Sequence, residues 1–203
     1  MELYVGNLES FLRKSFPDLD AESLAKILLL AAERGVIRYE DINLNEDLKR
    51  ELLLFLEEKG FLFPFKTSRS LAWEDRLMTL KPGEKFEMPH VIRHLIKKIE
   101  ESGDWNPEYA VRKYMEEIGE PHADKISAFF KRVVELSEMG RITPDVLKEA
   151  SKEFNLSSEI GKIISEFKGG GIISPCLRTS IWSGFIQYKV NPLLLALSKF
   201  RKL

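Results

Sequence analysis

The chain has 203 residues, with 31 Lys and Arg against 32 Asp and Glu, for a net charge of −1. That balance excludes a generally basic protein that coats nucleic acid, though it leaves room for a local basic patch. A hydrophobic fraction of 44% suffices for an ordinary globular core, and the single cysteine, Cys176, excludes an intrachain disulfide and suits a reducing cytosol.

The charge is unevenly spread. Residues 1–102 hold 16 basic and 19 acidic side chains, whereas 160–203 hold seven basic ones against Glu166 alone. Met1–Gly6 lacks the basic and apolar regions of a signal peptide. The apolar block Ile27–Ala32 is too short to span a bilayer. A soluble cytoplasmic protein is expected. Glutamine occurs once, at Gln187, amid abundant Lys, Arg and Glu. That bias hints at a prokaryote of hot environments.

In chain order, Leu8, Phe11 and Leu12 mark a short first helix, ended by Phe16-Pro17. Asp18 or Asp20 caps a second, Ala21–Arg34, which Gly35 stops. Its apolar residues lie nearly all round, which predicts deep burial. Val36-Ile37-Arg38 reads as a short strand and Tyr39–Ile42 as a minimal helix. Asn43 and Glu46 have capping-box spacing for a helix running to Lys59. Its outer residues, Glu46, Asp47, Lys49, Arg50, Glu51, Glu57 and Glu58, are mainly acidic. Two helices follow within 88–118, the second capped by Asn106 with Pro107 at its first turn. Ile126, Phe129, Phe130, Val133 and Val134 then form an amphipathic stripe. Thr143 and Pro144 start the next helix, and Ser157 is expected to cap a last one, Ser158–Lys168.

The glycines at 169–171 stop that helix, and a short apolar strand Ile172–Ser174, a polar basic loop and an alternating strand Phe185–Val190 follow. The same frame stands at Lys59–Pro82. With an offset of 110, Gly60 meets Gly170, Leu71 meets Ile181, Leu80 meets Val190 and Pro82 meets Pro192, without a gap. A frame repeated over more than 20 residues argues for two copies of one unit. Helix, turn, strand, loop, strand resembles the second half of a winged helix-turn-helix, and the repeat resembles a tandem of that superfamily. The resemblance implies a mainly α protein with small β wings: an N-terminal unit at 1–87, a helical connector at 88–120 and a C-terminal unit at 121–203.

Little in the chain suggests catalysis. His90 and His94 are four apart on a helix, yet no catalytic Glu directly follows His90 and no Cys lies nearby. Structural histidines are expected, with no metal and no cofactor. The glycines at 169–171 precede a strand and lack the Lys-Ser/Thr of a phosphate-binding loop. No nucleophile, base and orienting group stand together.

By resemblance to the superfamily, the expected function is binding of double-stranded DNA in transcriptional control, through the C-terminal unit. Ser158, Lys162, Ser165 and Lys168 occupy the outer side of the recognition-slot helix and are small or basic, as groove entry requires. Arg178, Thr179 and Ser180 in the wing suit phosphate contact. Lys199, Arg201 and Lys202 add charge in the tail. Trp182 is either a wing-tip contact or core. So few contacts bind weakly, which calls for a homodimer or a protein partner. The rival reading, supported by the acidic first recognition slot, is a non-enzymatic scaffold for protein assemblies.

Overall fold

A computed structural model describes residues 6–66, 72–176 and 186–195. The described residues form nine α-helices: α1 (Asn7–Ser15), α2 (Ala21–Arg34), α3 (Glu46–Lys59), α4 (His90–Ser102), α5 (Pro107–Glu117), α6 (Ala123–Leu136), α7 (Pro144–Glu153), α8 (Ile160–Gly170) and α9 (Pro192–Leu195). Six short strands accompany them: β1 (Val36–Arg38), β2 (Phe63–Pro64), β3 (Lys85–Glu87), β4 (Arg141–Ile142), β5 (Ile173–Pro175) and β6 (Tyr188–Val190). The protein is therefore mainly helical with two small antiparallel sheets, ordered β1-β3-β2 and β4-β6-β5. No described helix is long and apolar enough to cross a membrane.

Local chemistry sets the helix ends. Asp20 caps α2 by accepting from the Ser23 amide, and Gly35 ends it at φ +75°. Asn106 and Thr143 cap α5 and α7 as expected, each with proline next. Two expected caps move. Asn45, not Asn43, accepts from the Leu48 amide at the start of α3. Ser157 does not cap α8; its hydroxyl shares a 3.1 Å hydrogen bond with that of Ser151, and the helix begins only at Ile160.

The two sheet regions share a pattern of backbone hydrogen bonds, but not at the expected offset. Gly60 and Gly171 are the left-handed residues that end α3 and α8. The amides of Phe61 and Ile172 bond back to Leu56 and Phe167, and those of Phe65 and Cys176 bond across to Lys85 and Gln187. These pairs stand 111 apart before the wing and 102 apart after it. Leu80 and Pro82 are therefore not the counterparts of Val190 and Pro192. The return strand of the first wing is β3, and Met88-Pro89 matches Val190-Asn191: the amides of Met88 and Val190 bond to the carbonyls of Gly35 and Gly140. The stretch from Phe65 to Lys85 is nine residues longer in sequence than that from Cys176 to Gln187 and includes a 3-10 turn, Trp73–Asp75, where the Trp73 indole stacks on Phe63 at 4.7 Å.

The offset of 102 also relates α2 to α6, where Leu24, Leu28 and Ala31 match Ile126, Phe130 and Val133, all buried. It relates α1 to α5, where Leu8 and Leu12 match Ala110 and Tyr114. The helical pair between the sheets is thus shared out. α4 packs on α1 and α2, α5 packs on α6, and α4 and α5 pack on each other. The core is continuous through this stack: Ile126, Phe129, Phe130 and Val133 of the expected stripe are buried in it and Val134 partly so, while Leu29 of α2, expected deep inside, is exposed.

The halves also meet at their sheets. The Asn191 side chain donates to the Gly60 carbonyl at 3.0 Å, and the Trp73 amide donates to the Ser174 hydroxyl at 3.0 Å. A Cβ added at Gly60 would lie 2.8 Å from Asn191 Oδ1; one added at Gly171 would lie 2.4 Å from the Pro89 side chain. Pro89 and Asn191 are counterparts, so each helix-ending glycine touches the same place on the opposite half.

Candidate nucleic-acid interface

α8 is anchored from below by Ile163 and Phe167, which are fully or almost fully buried. Phe167 meets the rings of Phe129 and Phe130 at 6.1 and 5.9 Å. Its C-terminal turn is held against α5, where the Tyr114 hydroxyl donates to the Glu166 carbonyl at 3.1 Å. Gly170 permits this approach, since a Cβ there would fall 2.4 Å from the Tyr114 ring. The side turned away presents Gly161, Lys162, Ser165, Lys168 and Gly169, all exposed.

The four residues expected on this face are thus brought together, with two changes. Ser158 is exposed but lies in the turn before α8 rather than on the helix. Lys162 is not a free cation. Its ammonium is ion-paired with Glu120 and lies 3.6 Å from Glu166. The Glu120 side chain is 1% exposed, so this pair sits at the edge of the interior. The Lys162 hydrogen bond holds the Glu120 carboxyl below the usual glutamate range and raises the lysine in return. Burial pushes Glu166 the other way, upward. Lys162 and Glu120 are 42 residues apart, and no local sequence pattern announces their pairing.

Arg178, Thr179, Ser180, Trp182, Lys199, Arg201 and Lys202 lie outside the described residues. Cys176 is buried at the end of β5, where its amide bonds to Gln187.

The corresponding face of α3 has the opposite character. At the offset of 111, Asp47 stands for Ser158, the exposed Arg50 for Gly161, Glu51 for Lys162, Leu54 for Ser165, Glu57 for Lys168 and Glu58 for Gly169, so acids outnumber the one base. Lys49, expected on this outer face, is instead buried, 3.1 Å from Glu46 and beneath the Tyr39 ring. The solvent side of α3 is more acidic than its sequence implied.

The two histidines on α4 have other partners. His94 Nε2 lies 2.7 Å from Glu117, and His90 faces the Tyr114 ring at 6.0 Å. Among the described residues, no group of three His, Cys, Asp or Glu side chains is placed to hold a metal.

The chain belongs to an uncharacterised protein family, whose model matches residues 6–200. No curated protein and no solved structure matches it.

Proposed function

We propose that the chain is a tandem winged-helix protein that binds double-stranded DNA, mainly through its second half, in transcriptional control. It acts by binding rather than by catalysis. Each half supplies a helix, a short strand, a helical turn or helix, a slot helix and two antiparallel strands, in the order of that superfamily. The halves divide near Gly103, between α4 and α5, rather than around a separate connector.

The observation that carries the reading is the outward face of α8. It offers two lysines and small residues, with Glu159 and Glu166 only partly exposed, so the helix can lie close in a groove with little steric bulk or carboxylate repulsion. The paired Lys162 makes Lys168 the stronger cation there. A duplex-binding titration across a salt series is the test. Lys168→Ala with Arg178→Ala should weaken binding and reduce the log–log salt slope by about 0.9 per lost contact. Absence of duplex affinity at low salt, or an unchanged slope in the double variant, would count against this interface.

One observation favours a second reading, a scaffold for protein assembly. Leu54 is 50% exposed at the middle of the acidic α3 face. An apolar side chain flanked by Glu51, Glu57 and Glu58, with Arg50 as the one base beside it, suits a basic protein surface better than DNA. Binding of a protein partner that Leu54→Asp abolishes, in a chain with no duplex affinity, would select it.

A further inference from the structure

A cleft of about 490 Å³ runs between the two halves, beside the reciprocal glycine contact. We propose that this cleft binds a small organic phosphate of nucleotide size. Arg34, Lys66, Arg93 and Lys168 all line it, drawn from α2, the first wing, α4 and α8. A fifth cation, Arg76, is already matched by Glu87 at 2.5 Å. Arg34 is partly matched by Asp41 at 3.6 Å. Lys66 and Lys168 have no carboxylate in ion-pair reach among the described residues. The cleft therefore holds an excess of positive charge.

Two helices, α2 and α8, end at this cleft, and helix ends of this kind carry about half a negative charge each. They do not cancel the excess. At α2 the Arg93 guanidinium already occupies the final carbonyls, bonding to Ala32 at 3.0 Å and Glu33 at 3.5 Å. His90 also lines the wall, where burial first, and then the Arg93 charge, hold its imidazole below the usual histidine range.

The rest of the lining sets the ligand's body. Trp73, Pro89, Ile173 and Pro175 give the cleft an apolar wall. An inorganic phosphate would leave that wall wet. A volume near 500 Å³ falls in the range of small-molecule sites, which pair an apolar lining with a few charged groups.

The fold does not impose these charges. A second cleft of about 240 Å³ lies at the C-terminal end of α3, against the second sheet. There Glu57 and Glu58 occupy the positions of Lys168 and Gly169, and Glu74 joins them. The same architecture thus yields a basic cleft on one side and an acidic one on the other.

Isothermal titration of the full chain with adenosine 5′-monophosphate tests the proposal without DNA present. One saturable site per chain is expected, with inorganic phosphate about tenfold weaker or worse. Lys66→Gln with Lys168→Gln, both at exposed positions, should weaken binding by about tenfold or more, as loss of charged hydrogen bonds does. Lys189→Gln, in the acidic cleft, should leave binding unchanged. No saturable binding, equal affinity for inorganic phosphate, or full affinity in the double variant would each overturn the proposal.

Discussion

α3 and α8 are held in equivalent places by equivalent means, yet they face solvent with opposite charge. Each ends at a left-handed glycine, Gly60 or Gly171, and each buries a large apolar residue four positions earlier, Leu56 or Phe167. On the outside, Glu51 and Glu57 stand where Lys162 and Lys168 stand in the second half. Packing fixes the inner positions through volume and burial, so they stay apolar in both halves. Solvent tolerates either sign on the outer ones, and what the protein meets there decides them. Burial thus constrains the frame alike in both halves, while the exposed faces are free to differ in charge.

The frame is the place where the comparison breaks most expensively. Phe129→Ala removes a ring fully buried against Phe154 and Phe167. It should cost about 3–5 kcal/mol through lost burial and the cavity left behind. Chemical denaturation measures this, and an unchanged midpoint would mean the ring does not support the second half.

The next effect sharpens the reciprocity of the halves. Gly60→Ala and Gly171→Ala each force a left-handed residue, at about 1–3 kcal/mol. Gly171→Ala should be the worse of the two. Its new methyl meets the rigid Pro89 ring at 2.4 Å, whereas Gly60→Ala meets an Asn191 side-chain oxygen at 2.8 Å. Equal thermal midpoints for the two variants would show that the cross-half contacts are slack.

The faces can be made alike. Ser158→Asp with Lys168→Glu gives the second half the acids found in the first and spares the Lys162–Glu120 pair. Duplex affinity should fall, and its salt slope should lose about 0.9 for the single lysine contact. Retained affinity with an unchanged slope would move the interface off α8.

The smallest effect is on pH dependence. Glu120 is held below the ordinary glutamate value of 4.5 by Lys162. Its unfolded form therefore takes up a proton first. The stability from the pair is full above the ordinary value and is lost as pH falls through the lower folded one. Glu120→Gln should flatten the acid side of the stability profile relative to wild type. Parallel profiles would show that the pair contributes nothing there.

Much of the frame was legible because it is written locally. The stripe Ile126, Phe129, Phe130 and Val133, the caps at Asn106 and Thr143, and the stop at Gly35 each lie within a few residues of what they control. The return strand of the first wing was not. Lys85-Phe86-Glu87 offers one apolar residue, while Leu80 nearby imitates the end of a strand but is only partly buried. Three consecutive glycines hid the one-residue error in the offset. Only the backbone reveals that Gly170 is still helical and Gly171 is the stop. On the candidate interface, side-chain type was readable and partnership was not. Lys162 looks like a free cation until Glu120 is folded against it, and the cleft cations come from four separated segments.

The reciprocal touch of Gly60 on Asn191 and Gly171 on Pro89 has the logic of a two-fold subunit interface, in which each partner offers the other the same patch. Between identical subunits, such an interface obliges both copies to carry the same exterior, and any change appears twice. Tethering the copies in one chain removes that obligation. It also makes the association intramolecular and independent of protein concentration. Either side of such a chain can then change alone, and here the outer faces of α3 and α8 differ in charge.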